Sequence, residues 1–496
     1  MLESRVNSSG KLEIFTDDYE FAERCKLIKK SPHNYTAPDT IALRLALNLP
    51  IEDRTIDFRA FAVNPKFRDY QVTDVLEMIR MKTMLNANDM GLGKTAEAIE
   101  ACRLLGIKRI LVVCPKSVMP HWKNQFAEWC PERRVVITPK EVYPDTQVVV
   151  INYEKLAVVR YAEMLRGVHW DCVIADEAHR IKNRDAKRTK GLKSIPAMYK
   201  FALTGTPIMN MPDDMWSIFD WLDHKLVGDS YWRFVSMFCT TVTDIFGTMP
   251  MGLTKNENMR SVLKKLTDYR VIRHTKQEVL KDLPAKAVYP VNLEMCKAQT
   301  KLYKDAVKLL FDELPKEMTI QNAAVHFLRL QQVTANPALY IPDCENPKFD
   351  YISDLAIDNP DKRIVVFSHF RSTVEELVKH CKKLDVSVTS YTGKMTSDER
   401  TDSIDAFVKG GIQVFVGTIG SAGTGIDGLQ SVCDTAIFID KDWSPSNNTQ
   451  AEDRLCRLGQ TSAVEVFYLQ YPKTVDIYVG RKVRLKEEDI HAILSF

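Results

Sequence analysis

Residues 83–95 of this 496-residue chain, TMLNANDMGLGKT, join a short apolar run to a glycine-rich turn, and the helical pattern TAEAIEACRLL follows. A strand, a glycine-rich turn and a helix start form a phosphate cradle, because main-chain N–H groups and the helix N-terminus face the anion. Lys94 would reach the β- and γ-phosphate oxygens, and the Thr95 hydroxyl would coordinate Mg²⁺. The predicted nucleotide contacts of the turn are Met90, Gly91, Leu92, Gly93, Lys94 and Thr95. Taken alone, GLGKT is also compatible with a surface turn.

A pair of adjacent acidic residues is the second candidate feature. The segment DEAH, residues 176–179, ends the apolar run CVIA. A strand that ends in two carboxylates puts them at the carboxyl edge of a sheet, where ligands bind in open α/β folds. Asp176 would hold Mg²⁺ and Glu177 would polarise the attacking water. A solvated acidic turn is the alternative, and the glycine-rich turn upstream favours the paired site.

The segment QAEDRLCRLGQ, residues 450–460, carries two arginines. Arg454 and Arg457 are three residues apart, so they would share one face of a helix. An arginine that brings positive charge to a γ-phosphate in the transition state accelerates hydrolysis by roughly 10³–10⁵. In a protein with two lobes, arginines of one lobe would complete the nucleotide site of the other. Closure of the two lobes would then be coupled to hydrolysis. An exposed charged helix is the alternative.

The apolar runs fall into two sets, each interleaved with helical patterns. The runs are 109–115, 146–154, 170–179 and 199–207 in the first set, and 363–370, 386–393, 412–418, 435–440 and 464–470 in the second. Nearly continuous apolar runs of this length are typical of parallel strands buried on both faces, so two α/β units are predicted. The predicted divisions are a small N-terminal region of unknown role (1–64), a first lobe (65–225), helical protrusions and a linker (226–345), and a second lobe (346–496).

Composition narrows the class of protein further. Hydrophobic residues make up 45% and charged residues 27%, which is typical of a soluble globular protein. Neither a membrane-spanning run nor a secretory signal is recognisable. The 11 cysteines include no CxxC pair, which argues against zinc and against a disulfide framework. We therefore expect a soluble, non-secreted protein, in the cytoplasm of a bacterium or a virus-infected cell, or in the nucleus of a eukaryote.

In this order the motifs resemble those of helicase superfamily 2 and, within it, the Swi/Snf family of ATP-dependent DNA translocases. The similarity runs from about residue 67 to residue 478, and DEAHRIKN and the terminal RLGQ are its most specific parts. The resemblance implies an α/β fold with two RecA-like parallel-sheet lobes, helical insertions between them, and ATP and Mg²⁺ as cofactors. Further matching segments are FRDYQ, LVVCPKSVMPHWKNQF, LTGTPIMN, VIRHTKQEVLKDLPAK, LQQVTANPAL, YTGKMTSDER and GSAGTGIDGLQ.

The resemblance also assigns nucleotide contacts outside the glycine-rich turn. Gln71 would contact the adenine, and Gly425 and Asp427 would lie at the nucleotide in the second lobe. Asp427 replaces the usual Asn and would still accept a hydrogen bond from a ribose hydroxyl. Asn88 and Asp89 stand where the family usually has Asp-Glu. This difference favours the annealing-helicase branch of the family.

A DNA translocase binds its nucleic acid mainly through contacts with the phosphates. A basic stretch follows DEAH, although a solvated helix face would look the same; its members are Arg180, Lys182, Arg184, Lys187, Arg188, Lys190 and Lys193. The net charge of +3 permits nucleic-acid binding without indicating it. The contacts carried over by the resemblance, together with Lys182 from the basic stretch, are Lys116, Ser117, Asn152, Lys182, Ser368, Arg371, Lys394 and Thr418.

The function implied is that of an ATP-dependent double-stranded-DNA translocase that remodels protein–DNA complexes or branched DNA. A strand-separating DNA helicase is one alternative, and a nucleotide-gated DNA-binding scaffold subunit of a larger complex is another. The expected partner is duplex DNA, with partner proteins supplying targeting, no membrane, and a monomeric chain.

Overall fold

The computed structural model describes residues 2–52, 54–143, 145–208, 211–244, 247–280, 284–312, 320–422, 426, 428–457 and 459–494. These residues form two compact units. The first contains the described residues up to Val279 together with 486–494, and the second runs from Leu280 to Leu485. The boundaries predicted at 64/65, 225/226 and 345/346 stay predictions.

The N-terminal part of the first unit is a small antiparallel sheet with the strand order β1-β2-β4-β3. Its elements are β1 (Leu2–Val6), β2 (Lys11–Thr16), α1 (Tyr19–Arg24), β3 (Ile28–Ser31), β4 (Asn34–Pro38) and α2 (Ile41–Ala46). Leu12 and Ile14 of β2 are buried while the residues between them are not, which is the alternation of a strand with one face on a core. The Thr40 side chain caps α2 by accepting a hydrogen bond from the main-chain nitrogen of Leu43. The antiparallel sheet was not predicted from the sequence.

The main sheet of the first unit has parallel strands in the order β13-β5-β10-β9-β6-β8-β7. Every residue of β6 and β8 is buried, as expected for central strands that helices cover on both faces. The elements up to β10 are α3 (Asp69–Met81), β5 (Thr83–Asn86), α4 (Lys94–Leu104), β6 (Ile110–Cys114), α5 (Met119–Trp129), β7 (Val135–Ile137), β8 (Val148–Asn152), α6 (Val159–Arg166), β9 (Trp170–Asp176), α7 (Lys187–Lys193) and β10 (Ala197–Leu203).

The segment after β10 is mostly helical, as predicted, but it also contains a β-hairpin. Its elements are α8 (Asp214–Leu222), α9 (His224–Val227), α10 (Tyr231–Phe238), β11 (Cys239–Asp244), β12 (Gly247–Leu253), α11 (Glu257–Arg270), β13 (Val271–Ile272) and α12 (Lys276–Val279). Strands β11 and β12 pair with each other in a two-stranded antiparallel sheet. Strand β13 returns to the main sheet as the neighbour of β5.

The second unit contains a parallel sheet in the order β14-β19-β18-β15-β17-β16. Its elements are β14 (Lys286–Asn292), α13 (Lys297–Asp312), α14 (Ile320–Ala335), α15 (Pro347–Asp358), β15 (Ile364–Ser368), α16 (Arg371–Lys383), β16 (Val388–Tyr391), α17 (Ser397–Val408), β17 (Val414–Thr418), α18 (Ile419–Ala422), β18 (Thr435–Phe438), α19 (Pro445–Glu452) and β19 (Val464–Gln470). The last helix, α20 (Val475–Leu494), begins in the second unit, and its residues from 486 onward belong to the first. Two parallel-sheet units with helices confirm the predicted fold class.

Packing of apolar side chains, not covalent cross-links, stabilises both units. All 11 cysteines are free thiols, and all but Cys296 and Cys344 are buried, so they behave mainly as small core residues. Among the described residues, none of the helices combines the length and the apolar character that a bilayer crossing requires.

Candidate nucleotide site and nucleic-acid cleft

Three neighbouring strands bring the predicted nucleotide motifs to one edge of the first sheet. Strand β10 lies between β5 and β9, and its last residue, Leu203, is in register with Asn86 on one side and with Asp176 on the other. All three strands are parallel, so their carboxyl ends meet at this edge. With strands about 4.8 Å apart, the ends of β5 and β9 are separated by about 10 Å. The glycine-rich turn (88–95, the P-loop) and the acidic pair therefore flank the loop after β10.

Two glycines give the P-loop its shape. Gly91 and Gly93 have φ angles of 86° and 92°, in the left-handed region that a side chain disfavours. Gly93 is also the N-cap of α4. A Cβ atom at Gly93 would also clash with the Gln71 side-chain amide, so a larger residue here would displace Gln71. The first helical residue after the turn is Lys94, which places the helix N-terminus at the loop as the sequence predicted.

The Lys94 side chain turns back onto the P-loop. Its Nζ atom donates hydrogen bonds to the carbonyl oxygens of Asn88, at 2.6 Å, and Asp89, at 3.0 Å. Burial lowers the pKa of Lys94, and the carboxylates of Glu177 and Asp176 oppose that shift. A phosphate anion is a ligand whose charge would further stabilise the protonated amine.

Helix α3 contacts the P-loop through two neighbouring side chains. The Tyr70 hydroxyl and the Gln71 amide nitrogen both donate to the carbonyl of Leu92, at 2.9 and 3.1 Å. The Gln71 oxygen accepts from the main-chain nitrogen of Arg68 at 3.0 Å. The amide that sequence analysis assigned to adenine is thus bound to main-chain groups on both sides, and its adenine contact stays a prediction. Tyr70 received no role from the sequence, although it belongs to the quoted FRDYQ.

The acidic pair is partly buried and well oriented. Asp176 accepts hydrogen bonds from the indole nitrogen of Trp122, at 2.8 Å, and from the main-chain nitrogen of Glu177, at 2.9 Å. Burial, and then the neighbouring Glu177 carboxylate, raise the pKa of Asp176 to about 6. A carboxylate oxygen in such surroundings fits a hard divalent cation, which also prefers oxygen ligands such as the Thr95 hydroxyl at the start of α4. Trp122 was missed because its spacing in an amphipathic helix predicts only a core residue.

Glu177 sits in a sharp turn and contacts the loop after β10. Its φ angle of 52° is left-handed, a conformation that costs a non-glycine residue roughly 1–3 kcal/mol. The Tyr153 hydroxyl donates to the preceding carbonyl, of Asp176, at 2.7 Å and braces this turn. The Glu177 carboxylate lies 3.2 Å from His179 Nδ1, and the Thr204 hydroxyl donates to it at 3.4 Å. The acidic pair is therefore linked to the loop after β10, which lies between it and the P-loop.

The two predicted arginines of the second unit share an acceptor. The guanidinium groups of Arg454 and Arg457 both donate to the carbonyl of Ile426, at 3.0 and 3.3 Å. The prediction that they share a helix face is wrong, because α19 ends at Glu452 and both arginines lie in the turns that follow. The nucleotide contacts predicted at Gly425 and Asp427 lie outside the described residues.

A cleft of about 500 Å³ opens at the carboxyl edge of the second sheet. Strands β15, β17 and β16 are neighbours there, and the loops that follow them converge. Three of the predicted nucleic-acid residues, Arg371, Lys394 and Thr418, line this cleft. The other lining residues are His369, Gly393, Arg400, Gly420, Ser421 and Asp442. Cations, hydroxyls and glycines around a groove suit a polyanionic backbone.

The remaining predicted nucleic-acid residues are not gathered at this cleft. Ser368 is fully buried and donates to Asp440 at 2.6 Å. Asn152 caps the short helix that follows β8 by accepting from the main-chain nitrogen of Lys155. Lys116 and Ser117 are exposed on the turn after β6, at the same edge of the first sheet as the P-loop.

Acidic or aromatic groups of the first unit contact much of the basic stretch after DEAH. Lys182 lies 3.4 Å from Asp214. Three other members have comparable partners: Arg180 with Glu154, Lys193 with Asp220, and Arg184 over the Tyr231 ring. The three ion pairs offset part of the positive charge that the stretch offers to a nucleic acid.

Comparison with known proteins agrees with the order of the motifs. Residues 70–339 match the model of the SNF2-related domain, and residues 347–459 match the helicase conserved C-terminal domain. Human chromodomain-helicase-DNA-binding protein 7 is 26% identical over 469 residues, which cover 83% of this chain and 15% of that protein. The mouse SWI/SNF-related matrix-associated actin-dependent regulator of chromatin subfamily A member 1 is also 26% identical, with 86% and 44% covered. This chain thus spans less than half the length of these relatives.

A solved structure, the Sulfolobus solfataricus SWI2/SNF2 ATPase core in complex with dsDNA, is 27% identical. The match covers 88% of this chain and 98% of that one, with a TM-score of 0.43. A second solved structure, the Sulfolobus solfataricus SWI2/SNF2 ATPase core domain, is 27% identical, and the match covers 90% of this chain and 95% of that one, with a TM-score of 0.41. Since the SNF2-related model alone matches more than half of the residues, this chain belongs to the SNF2-related family of helicase-like ATPases.

Proposed function

We propose that this chain is an ATP-dependent duplex-DNA translocase that remodels protein–DNA complexes or branched DNA. The observation that carries the hydrolytic part is the alignment of Asn86, Leu203 and Asp176 at one sheet edge. This register brings a phosphate loop and a carboxylate pair to the same side of three adjacent strands. Family membership and the cationic cleft of the second unit support DNA as the track.

The hydrolytic chemistry is assigned to residues of the first unit. Phosphate oxygens of ATP would take Lys94 from the two loop carbonyls it now contacts, since a doubly ionised partner is the stronger acceptor. Thr95 and Asp176 would hold Mg²⁺, which supplies positive charge to the β- and γ-phosphate oxygens when bound. Glu177, whose carboxylate is fixed by Thr204 and His179, would orient the attacking water and polarise it.

The cleft of the second unit would hold one strand through its phosphates. Lys394 supplies charge, as does Arg371, which also pairs with Glu375 at 3.0 Å. Thr418 supplies a hydroxyl, and the glycines at 393 and 420 allow close backbone approach. Such contacts carry little sequence information, so we expect grip without base readout. Partner proteins, and a monomeric chain, stay predictions.

ATP turnover measured with single-stranded DNA, duplex DNA, forked DNA and RNA of equal length tests this proposal. We expect duplex DNA to stimulate turnover most, and Lys94→Ala to abolish it. Equal turnover with and without every nucleic acid would contradict the proposal. Displacement of a third strand from a triplex is expected of a translocase and not of a stationary scaffold, while robust unwinding of the fork would favour a strand-separating helicase.

Protonation of His369 is expected to make DNA binding depend on pH. A hydrogen bond from Nδ1 to Asp442, at 3.0 Å, raises the pKa of His369 above its ordinary value of 6.5. The imidazole is therefore cationic below that pKa, and the cleft loses one charge as the pH rises through it. A plot of log K for duplex DNA against log [salt] has a negative slope. Its magnitude should be smaller by about one unit in alkaline buffer than in acidic buffer.

The matched variant for this measurement is His369→Gln, which keeps a hydrogen-bonding group at the strand end but has no titratable ring. Its salt slope should be the same in both buffers. A wild-type slope that does not change with pH would contradict a phosphate contact by His369.

A further inference from the structure

The segment 271–276, inside the quoted VIRHTKQEVLKDLPAK, has no role in the nucleotide chemistry above. Its first two residues form β13, in register with Leu85 and Asn86 of β5. The pairing continues beyond the end of the strand. Ala87 donates its N–H to Ile272 at 2.8 Å, and Asp89 donates its N–H to His274 at 3.0 Å. The main chain of this segment therefore runs along the first residues of the P-loop.

The Arg273 side chain reinforces this main-chain pairing. One terminal nitrogen donates to the carbonyl of Ala87 and, at 3.2 Å, to the carbonyl of Gly205. The other terminal nitrogen lies 2.7 Å from the carboxylate of Asp89. The second oxygen of that carboxylate accepts from the main-chain nitrogen of Lys276 at 3.0 Å. A single guanidinium thus joins the loop after β5 to the loop after β10.

The loop after β5 and the loop after β10 are closely packed, so the distance between them affects the shape of the nucleotide site. A Cβ atom at Gly205 would lie 2.9 Å from the Met90 side chain and 3.3 Å from the Met90 main-chain nitrogen. A displacement of either loop would change the position of the P-loop N–H groups. Arg273 contacts both loops, and its planar fork suits several acceptors in a way that a lysine ammonium does not.

A second connection runs through Asn88. Its side-chain oxygen accepts from the main-chain nitrogen of His274 at 2.8 Å, and its amide donates to Asp74 at 2.7 Å. The other oxygen of Asp74 lies 3.1 Å from His274 Nε2, so Asp74, Asn88 and His274 form a closed hydrogen-bonded network. An aspartate at position 88, as is usual in the family, would bring a carboxylate against that of Asp74. The Asn88 amide group therefore links Asp74 of α3 to the main chain of His274.

We propose that Arg273 is a positioning residue of the nucleotide site, which holds the start of the P-loop and the loop after β10 in the geometry that binds phosphate. Lys94 contributes to that geometry only while it contacts the carbonyls of Asn88 and Asp89, and phosphate would draw it away. Arg273 holds the loop through its contacts with Ala87 and Asp89, which do not involve Lys94. The proposal rests on the nucleotide-binding part of the proposed function and is independent of DNA.

The test is the dissociation constant of the full chain for the fluorescent nucleotide N-methylanthraniloyl-ADP with Mg²⁺. Arg273→Gln is expected to weaken binding about 10- to 100-fold, the range seen when groups that orient a site are removed. Asp89→Asn, which removes the same ion pair from the loop side, should act in the same direction. Because the two residues form one ion pair, the effect of the double variant should be smaller than the product of the single effects.

Arg270→Gln is the matched control. Arg270 lies three residues before Arg273, only 4% of its side chain is exposed, and it pairs with Asp223 at 3.4 Å. Its loss should lower the melting temperature and leave nucleotide affinity unchanged, which separates damage to the fold from damage to the site.

The outcomes separate this proposal from the proposed function. Folded Arg273→Gln that binds the nucleotide as tightly as wild type would overturn the positioning role. If Arg273→Gln does not fold, Asp89→Asn decides the matter, and wild-type affinity there would overturn it equally. If the wild-type chain binds the nucleotide but its ATP turnover is not stimulated by DNA, the translocase proposal is contradicted and the positioning role of Arg273 is not.

Discussion

Glu177→Gln is expected to lower the rate of ATP hydrolysis by about 10²–10⁴-fold, the contribution of a positioned general base. Glutamine has the same shape and can still accept hydrogen bonds from Thr204 and His179, which contact the carboxylate at 3.4 and 3.2 Å. The amide has almost no basicity, so water would be oriented but not polarised. Steady-state phosphate release, measured beside nucleotide affinity, checks this: turnover should fall while affinity stays near wild type.

Glu154→Gln provides the control for this variant. Glu154 follows strand β8, its side chain is 56% exposed, and its ion-pair partner at 3.5 Å is Arg180. Removing its charge changes the field near the acidic pair without touching it, so turnover should stay close to wild type. Wild-type turnover of Glu177→Gln would exclude Glu177 as the group that activates water.

The parallel strands of both sheets were largely predictable from sequence. Runs such as ILVVC (110–114) and VVVI (148–151) are continuously apolar, and the strands that contain them, β6 and β8, are buried along their whole length. Such runs occur where helices cover both faces of a strand, so composition alone identifies them. The strands that were not predicted from the sequence differ from these two in burial, length or pairing.

Strand β14, KAVYPVN, contains Pro290, is mostly exposed and lies at the edge of the sheet, with β19 as its neighbour. An edge strand needs no apolar run and tolerates proline, so its sequence resembles a loop. Strand β13 is two residues long and directly follows α11. The hairpin β11–β12 carries Thr, Met and Pro residues, whose pattern gives no clear period. In each of these cases the pairing partner, which is distant in sequence, decides the structure.

The same distinction applies to the nucleotide site. Lys94 and Asp176 could be proposed from the local order of strand, turn and helix, because that order alone creates a phosphate cradle or a carboxylate edge. Trp122 and Arg273 could not, since the contact of Trp122 with Asp176 and that of Arg273 with Asp89 of the P-loop depend on which strands become neighbours. Side chains that orient a site from another element leave no local pattern.

Arg457→Ala is expected to lower kcat for ATP by roughly 10³–10⁵, if the arginine delivers charge to the γ-phosphate in the transition state as the sequence predicts. Arg454 is only 5% exposed, and both guanidinium groups donate to the Ile426 carbonyl, so the pair is held in a defined orientation. An interaction made only in the transition state lowers kcat and kcat/KM equally. Arg457→Lys keeps the charge but loses the planar fork, so it should recover only part of the activity.

Arg363→Ala distinguishes this role from a loss of packing. Arg363 also belongs to the second unit and also donates to main-chain carbonyls, of Phe407 at 2.6 Å and Val408 at 3.0 Å. It precedes β15 and therefore lies at the amino end of the strand, away from the edge that carries the cleft. Both variants remove a guanidinium bound to main chain, so both should lower the melting temperature. Only Arg457→Ala should lower kcat, and an equal fall in kcat for the two variants would assign Arg457 to the fold and not to catalysis.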